Sequence, residues 1–149
     1  MTARSEGENV VTLEHGAGGK ATRDLVTEVL TAGFPDDALP VGRDSMDDGA
    51  ILSVGDRNLA FTTDSHVIQP PFFPGGDIGR LAVSGTVNDL AVMGATDVRA
   101  LSSAVVVEAG YDESKLREIA DSMARTCREA DAPVVTGDTK VMGNGDVDG

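Results

Sequence analysis

The sequence predicts an α+β domain built on a mixed sheet, and two observations carry that reading. Strand and helix patterns alternate in the order β-α-β-β-α-β-α-β, with only two strand-helix-strand steps. At the centre lie two short apolar runs, Ala50 to Val54 and Leu59 to Thr63, separated by Gly55-Asp56-Arg57-Asn58. That pattern is a β-hairpin, and a hairpin in this position argues against a doubly wound parallel sheet. With 149 residues, the chain is long enough for one domain with a core and too short to suggest two.

Residues Met1 to Asn9 are polar and acidic and read as a disordered leader, which places the domain over 10–149. Val10 to Leu13 reads as a short strand. Ala21 to Leu30 reads as a helix with Leu25, Val26, Val29 and Leu30 on one side. From Ala32 to Asp48 the chain is rich in Pro, Gly and Asp, which reads as a mobile loop leading into the hairpin. Gln69 to Asp77 forms a rigid loop with two apolar rings, and Asp77 is placed to cap a helix from Ile78 to Met93 that Gly94 closes. Gly79 and Gly85 lie inside that helix, where each costs roughly 0.5–1 kcal/mol against alanine. Something must therefore pack closely against the helix or reach its backbone. Val98 to Val107 reads as a long strand, Glu113 to Ala130 as an amphipathic helix, Ala132 to Thr136 as a buried strand, and Gly143 to Gly149 as a Gly/Asp turn.

The formal charge of −13 excludes nucleic acid and anionic membrane as partners, because both draw on Lys and Arg contacts to phosphate. The acid excess is mostly Asp, and the only lysines are Lys20, Lys115 and Lys140, a balance suited to high salt. No apolar run approaches the ~18 residues of a membrane span. The lone Cys127 forms no internal disulfide, which fits a reducing, cytoplasmic setting. It falls within a helix and reads as structural.

Two kinds of segment could carry chemistry. Gly16-Ala17-Gly18-Gly19-Lys20-Ala21 opens a helix, yet Glu14 stands where a P-loop needs Gly, and Ala21 where it needs a hydroxyl. The spacing Gly16-x-Gly18-x-x-Ala21 matches the permissive dinucleotide fingerprint, but no second strand with an acidic end follows. What remains is a flexible backbone at a helix start, with Lys20, able to close over phosphate. The aspartates say more. Asp47 and Asp48 enter one hairpin strand and Asp64 leaves the other, so they converge at one edge of the sheet. Asp138 marks the exit of a third strand, and Asp89 sits mid-helix one turn after Gly85. Mg²⁺ is bound by a few carboxylates shared with substrate phosphates, and a cation offsets the repulsion of gathered acids. Asp48, Asp64, Asp89 and Asp138 are thus the expected metal ligands, with hydroxyls from Thr62, Thr63, Ser65 and Thr139 nearby. His15 and His66 lack partners at zinc spacing, and His66 reads as a loop residue. No nucleophile arrangement is evident, so no catalytic side chain is assigned.

The run from Phe61 to Ala95, with Phe72-Phe73-Pro74-Gly75-Gly76-Asp77-Ile78-Gly79 at its centre, closely resembles the hydrogenase maturation family HypE. Gly16 to Lys20, Asp47 to Ala50 and Gly137 to Lys140 fit the same family, so the resemblance covers the chain from Val10 onward. Its wider superfamily includes aminoimidazole ribonucleotide synthetase (PurM), thiamine-monophosphate kinase and selenophosphate synthetase. The resemblance implies a PurM-like N-terminal domain with helices on one face of its sheet, dimerising through that sheet into a barrel beside which ATP lies. It implies that Asp48, Asp64, Asp89 and Asp138 hold Mg²⁺ and phosphate, that the loop of Gly16, Gly18, Gly19 and Lys20 closes over the triphosphate, and that Thr63, Asn88 and Lys140 are neighbouring ligand positions. The implied reaction is ATP-dependent dehydration of the family's own C-terminal cysteine thiocarboxamide to thiocyanate, which supplies the cyanide ligands of [NiFe] hydrogenase. Implied partners are a second copy, the carbamoyltransferase HypF and the HypC–HypD complex. The second domain and the Pro-Arg-x-Cys-type tail of the family lie outside these 149 residues. A non-catalytic dimerising assembly module, and another ATP-dependent enzyme of the superfamily, are the alternative expectations.

Overall fold

The computed structural model describes residues 10–35 and 38–145, which fall into two compact units divided after Asp37. The leader expected over 1–9, the Asp36-Asp37 pair and the last four residues of the C-terminal turn lie outside the described residues.

In the first unit the expected strand from Val10 to Leu13 does not form. Val10, Val11 and Leu13 are 63%, 73% and 95% exposed, and a strand without a pairing neighbour leaves its backbone groups unsatisfied. Instead Leu13–Gly16 makes a 3₁₀ turn, in which the Thr12 N–H donates to His15 Nδ1 at 3.1 Å. Helix α1, Gly19–Leu25, starts two residues before the expected position. It then widens into a π turn, Val26–Leu30, closed by Thr31 N–H donating to the Val26 carbonyl at 2.9 Å. No described residue of this unit is buried.

The second unit contains the hairpin. Strand β1, Ala50–Val54, pairs antiparallel with β2, Arg57–Phe61, from Ala50 opposite Phe61 to Val54 opposite Arg57. The turn is therefore the pair Gly55-Asp56, with Gly55 at φ +63°, and Arg57 and Asn58 belong to the strand rather than to the loop. The segment expected to be mobile is tied down before the hairpin: Ile51 N–H donates to the Val41 carbonyl at 2.8 Å, and Arg43–Ser45 forms a 3₁₀ turn.

A feature absent from the sequence reading follows. Strands β3, Phe72–Phe73, and β4, Gly76–Asp77, pair tightly inside the rigid loop and lead directly into α2, Ile78–Val92. Asp77 caps α2 as expected, its Oδ1 accepting from Gly79 N–H at 2.8 Å and Arg80 N–H at 3.0 Å. Such a cap satisfies two of the helix's free N-terminal donors. After β5, Leu101–Glu108, comes α3, Glu113–Glu129, and then β6, Val134–Met142, parallel to β5.

The expected single mixed sheet is not formed among the described residues. The strands make three separate pairs, β1–β2, β3–β4 and β5–β6. Hydrophobic pattern decides which residues extend, but an edge-to-edge join depends on distant segments that the pattern does not specify. The core lies where α2 and α3 meet the start of β5: Val83, Leu101 and Ala132 are buried, with Val87, Val98, Met123, Cys127 and Ala130 packed around them. The two helices approach so closely at Gly79 that an added Cβ would stand 2.4 Å from the Ile119 carbonyl oxygen. This accounts for one of the two helical glycines. Along β5, Ser103, Val105 and Val107 are half-buried while Ser102, Ala104 and Val106 are exposed, so one face of β5 is covered. The expected buried strand Ala132 to Thr136 is corrected: Ala132 is buried, but every residue of β6 is exposed.

Candidate functional site

The register of the hairpin brings its two ends together, as the sequence implies. Ala50 faces Phe61, and just beyond them the Thr62 hydroxyl donates to the Asp48 backbone carbonyl at 2.7 Å. Gly49 makes this closure possible, because a Cβ there would stand 2.9 Å from the Phe61 carbonyl oxygen. Helix α2 passes the same point. Asp89 Oδ2 lies 3.4 Å from Thr62 Oγ1, so one threonine touches both the hairpin mouth and the helix acid.

Asp48 and Asp64 lie near enough to Asp89 for their charges to act on its carboxyl. Burial first, and then the charges of Asp64 and Asp48, push the Asp89 carboxyl above its ordinary range, with the Thr62 hydroxyl and His66 partly opposing. Negative charges that raise one another's proton affinity are what a cation would relieve. On Asp64, Oδ1 accepts from Ser65 N–H at 2.7 Å and Oδ2 lies 3.1 Å from His66 Nε2. The second helical glycine is explained here as well: a Cβ on Gly85 would stand 2.5 Å from His66 Nε2. Among the described residues no three acidic, imidazole or thiol side chains form a group that would hold a metal unaided. A cation at this mouth would need oxygens from a ligand, which is how Mg²⁺ is ordinarily held at phosphates.

Asp138 is placed differently from the expectation. It is not at a strand exit but inside β6, opposite Ala104, because pairing with β5 carries the strand on to Met142. Its Oδ2 accepts from Lys140 Nζ at 2.5 Å, and both side chains are mostly exposed. A hollow lined by Thr62, Thr63, Asp64, Thr86 and Ser102 adjoins a second, lined by Ser102, Ser103, Thr136 and Asp138. Ser102 is common to both. Asn88 is exposed on α2 next to Asp89.

In the first unit, Gly16 ends the 3₁₀ turn, and Gly18 and Gly19 adopt φ of +82° and +79°, a conformation open to glycine. Apart from the adjoining stretch of chain, no atom lies within 4 Å of where a Cβ would stand on any of the three. Lys20 pairs with Asp24 one turn along α1, and that hydrogen bond and charge hold its ammonium above the usual value.

Thr62 and His66 are the residues that the sequence undervalued. Thr62 had a signal in its place between the strand end and Asp64. His66 had only adjacency to Asp64, which does not reveal that its ring is 13% exposed against a helix. Cys127 agrees with its structural reading: burial pushes its thiol up, away from the reactive thiolate.

The family of AIR synthase related proteins, N-terminal domain, matches residues 46–148, and the chain belongs to that family. Its similarity is more particular than this. It is 51% identical over 142 residues to the carbamoyl dehydratase HypE of Rhodobacter capsulatus, covering 93% of this chain and 40% of the relative. It is 46% identical over 133 residues to a putative hydrogenase expression/formation protein of Methanocaldococcus jannaschii, covering 88% and 39%. Among solved structures, a HypE–HypF complex matches with a TM-score of 0.69 at 41% identity, over 82% of this chain and 37% of the other. A HypE in complex with ATP matches with a TM-score of 0.59 at 40% identity, over 92% and 39%. The chain spans about two fifths of the length of these curated relatives. Among the described residues, no helix is long and apolar enough to cross a membrane.

Proposed function

We propose that this chain is the Mg·ATP-binding and dimerisation domain of a HypE-like hydrogenase maturation factor acting in the cytoplasm. The observation that carries the reading is the raised Asp89 carboxyl at the hairpin mouth, on which burial and then the charges of Asp64 and Asp48 act. Asp48, Asp64 and Asp89 would hold Mg²⁺, which would relieve that repulsion and supply charge neutralisation for the phosphates. Asp138 joins the proposed ligand set from the adjoining hollow. Thr63, Asn88 and Lys140 are further proposed ligand positions, and the loop of Gly16, Gly18, Gly19 and Lys20 is a proposed phosphate-binding segment.

In this reading the whole protein dehydrates its own C-terminal cysteine thiocarboxamide. The carboxamide oxygen attacks the terminal phosphorus of ATP and ADP leaves. The oxygen then departs as phosphate, the nitrogen gives up its two protons, one to the phosphate and one to water, and the C≡N bond of a thiocyanate remains. Positioning and charge neutralisation suffice for these steps, which fits a site without a side-chain nucleophile. The exposed β5–β6 pair supports the proposed dimer, because parallel strands are normally covered on both faces and an open edge invites pairing. HypF and the HypC–HypD complex are the proposed further partners.

Isothermal titration with ATP, with and without Mg²⁺, tests the site, and absence of Mg·ATP binding removes the proposal. The coding sequence after codon 149 tests the reaction: an in-frame continuation ending in Pro-Arg-x-Cys is the expected result.

A further inference from the structure

We propose that His66 is a positioning residue for the Asp64 carboxylate, seated in a slot that Gly85 leaves open in α2. The inference rests on the reading of the hairpin mouth as a Mg·nucleotide site and names a residue on which that site depends. Asp64 follows β2 in a loop where the residues on either side of His66 face solvent: Ser65 is exposed and Val67 is 96% exposed. The His66 ring does not follow them. It turns back, is 13% exposed, and places Nε2 3.1 Å from Asp64 Oδ2.

Helix α2 sets the limit of that turn. A Cβ on Gly85 would lie 2.5 Å from Nε2 and 3.2 Å from Cε1 of the ring, so any residue larger than glycine expels the imidazole from this place. Glycine in a helix interior costs about 1 kcal/mol against alanine, and accommodation of the ring is what that cost sustains. Meanwhile Asp64 Oδ1 accepts the Ser65 N–H at 2.7 Å. Both oxygens are thus held, one from the backbone and one from the ring. Each keeps a lone pair, since an ionised carboxylate has about four acceptor positions for these two donors. The carboxylate is fixed in direction without being used up, the arrangement that outer-shell partners give to metal-binding carboxylates, and loss of such a partner typically lowers metal affinity by about 10–100-fold. The ring acts with its proton on Nε2, as the donor to Asp64.

The test compares His66→Ala, His66→Gln, Gly85→Ala and Asp64→Ala with the unaltered protein. Titration calorimetry measures affinity for ATP in Mg²⁺ and in EDTA, and circular dichroism checks the fold of each variant. Gln places an amide donor near the position of Nε2. His66→Ala is expected to weaken Mg·ATP binding by roughly 10–100-fold while leaving metal-free ATP binding unchanged, with Gly85→Ala behaving alike and His66→Gln retaining most of the affinity. If Asp64→Ala loses Mg·ATP binding but folded His66→Ala keeps it, the positioning role is overturned and the site stands. If His66→Gln is as weak as His66→Ala, or metal-free binding falls in parallel, the ring only packs and the inference is likewise overturned. If Asp64→Ala binds Mg·ATP normally, the site and the inference fall together.

Discussion

The hairpin mouth and the β5–β6 pair each present aspartates, and the molecule treats the two in opposite ways. At the mouth, Asp89 is half-buried and raised by its surroundings, and Asp64 is held from two sides. On β6, Asp138 is 65% exposed and paired with an equally exposed Lys140. An exposed ion pair of that kind contributes little, whereas like charges gathered under partial burial require a cation or a proton. The same contrast runs through the packing. The α2–α3 side holds the buried cluster of Val83, Leu101 and Ala132, while Val135 and Val141 on β6 are 64% and 68% exposed. One region packs its apolar side chains within the chain, and the other leaves them exposed.

The largest expected effect breaks the comparison at the mouth. Asp64→Ala or Asp89→Ala should weaken Mg·ATP binding by about 100-fold or more by titration calorimetry, equivalent to about 2.8 kcal/mol. A similar loss for Asp138→Ala would show that β6 belongs to the same ligand set. Next in size, Gly79→Ala drives a methyl group against the Ile119 carbonyl and should destabilise the fold by about 1–3 kcal/mol in urea titration. Val141→Lys tests the opposite surface. Folding stability should change by no more than about 0.5 kcal/mol, since the side chain is already exposed, while dimer dissociation measured by light scattering should rise at least about tenfold.

A smaller effect concerns pH. Asp89 has a folded value above its unfolded one, so its contribution to stability is most favourable below the unfolded value and declines as pH rises through the folded value. Asp89→Asn should therefore raise the melting temperature near pH 7, with the gain vanishing in acid, and Mg·ATP should stabilise the unaltered protein but not the variant. Smallest of all, Lys140→Ala should alter stability by no more than about 0.5 kcal/mol, checked by the same urea titration.

Much of the local placement of these residues was legible in the sequence. The hairpin's two apolar runs placed Asp48 and Asp64 at one end, and register confirms it. Gly79 and Gly85 announced close approach to α2, although only the packing identifies the visitors as the Ile119 carbonyl and the His66 ring. Asp77 was recognisable as a cap because capping is a contact within three residues. His66 was not, because a ring's burial depends on a helix that passes some twenty residues later in the chain.

By itself the sequence determined the local elements: the central hairpin, the two long helices, the Asp77 cap, and the places of Asp48 and Asp64 at the hairpin ends. These follow from periods of two and 3.6 residues and from turn chemistry, which act over a few positions. Tertiary structure decided the rest. It denied Val10 to Leu13 a strand partner, carried β6 through Asp138 to Met142, and kept the three strand pairs from sharing one ladder. It also brought Asp89 to the hairpin mouth and left β6 open. Strand pairing and burial are properties of segments far apart in the chain, and no local pattern specifies which of them will meet.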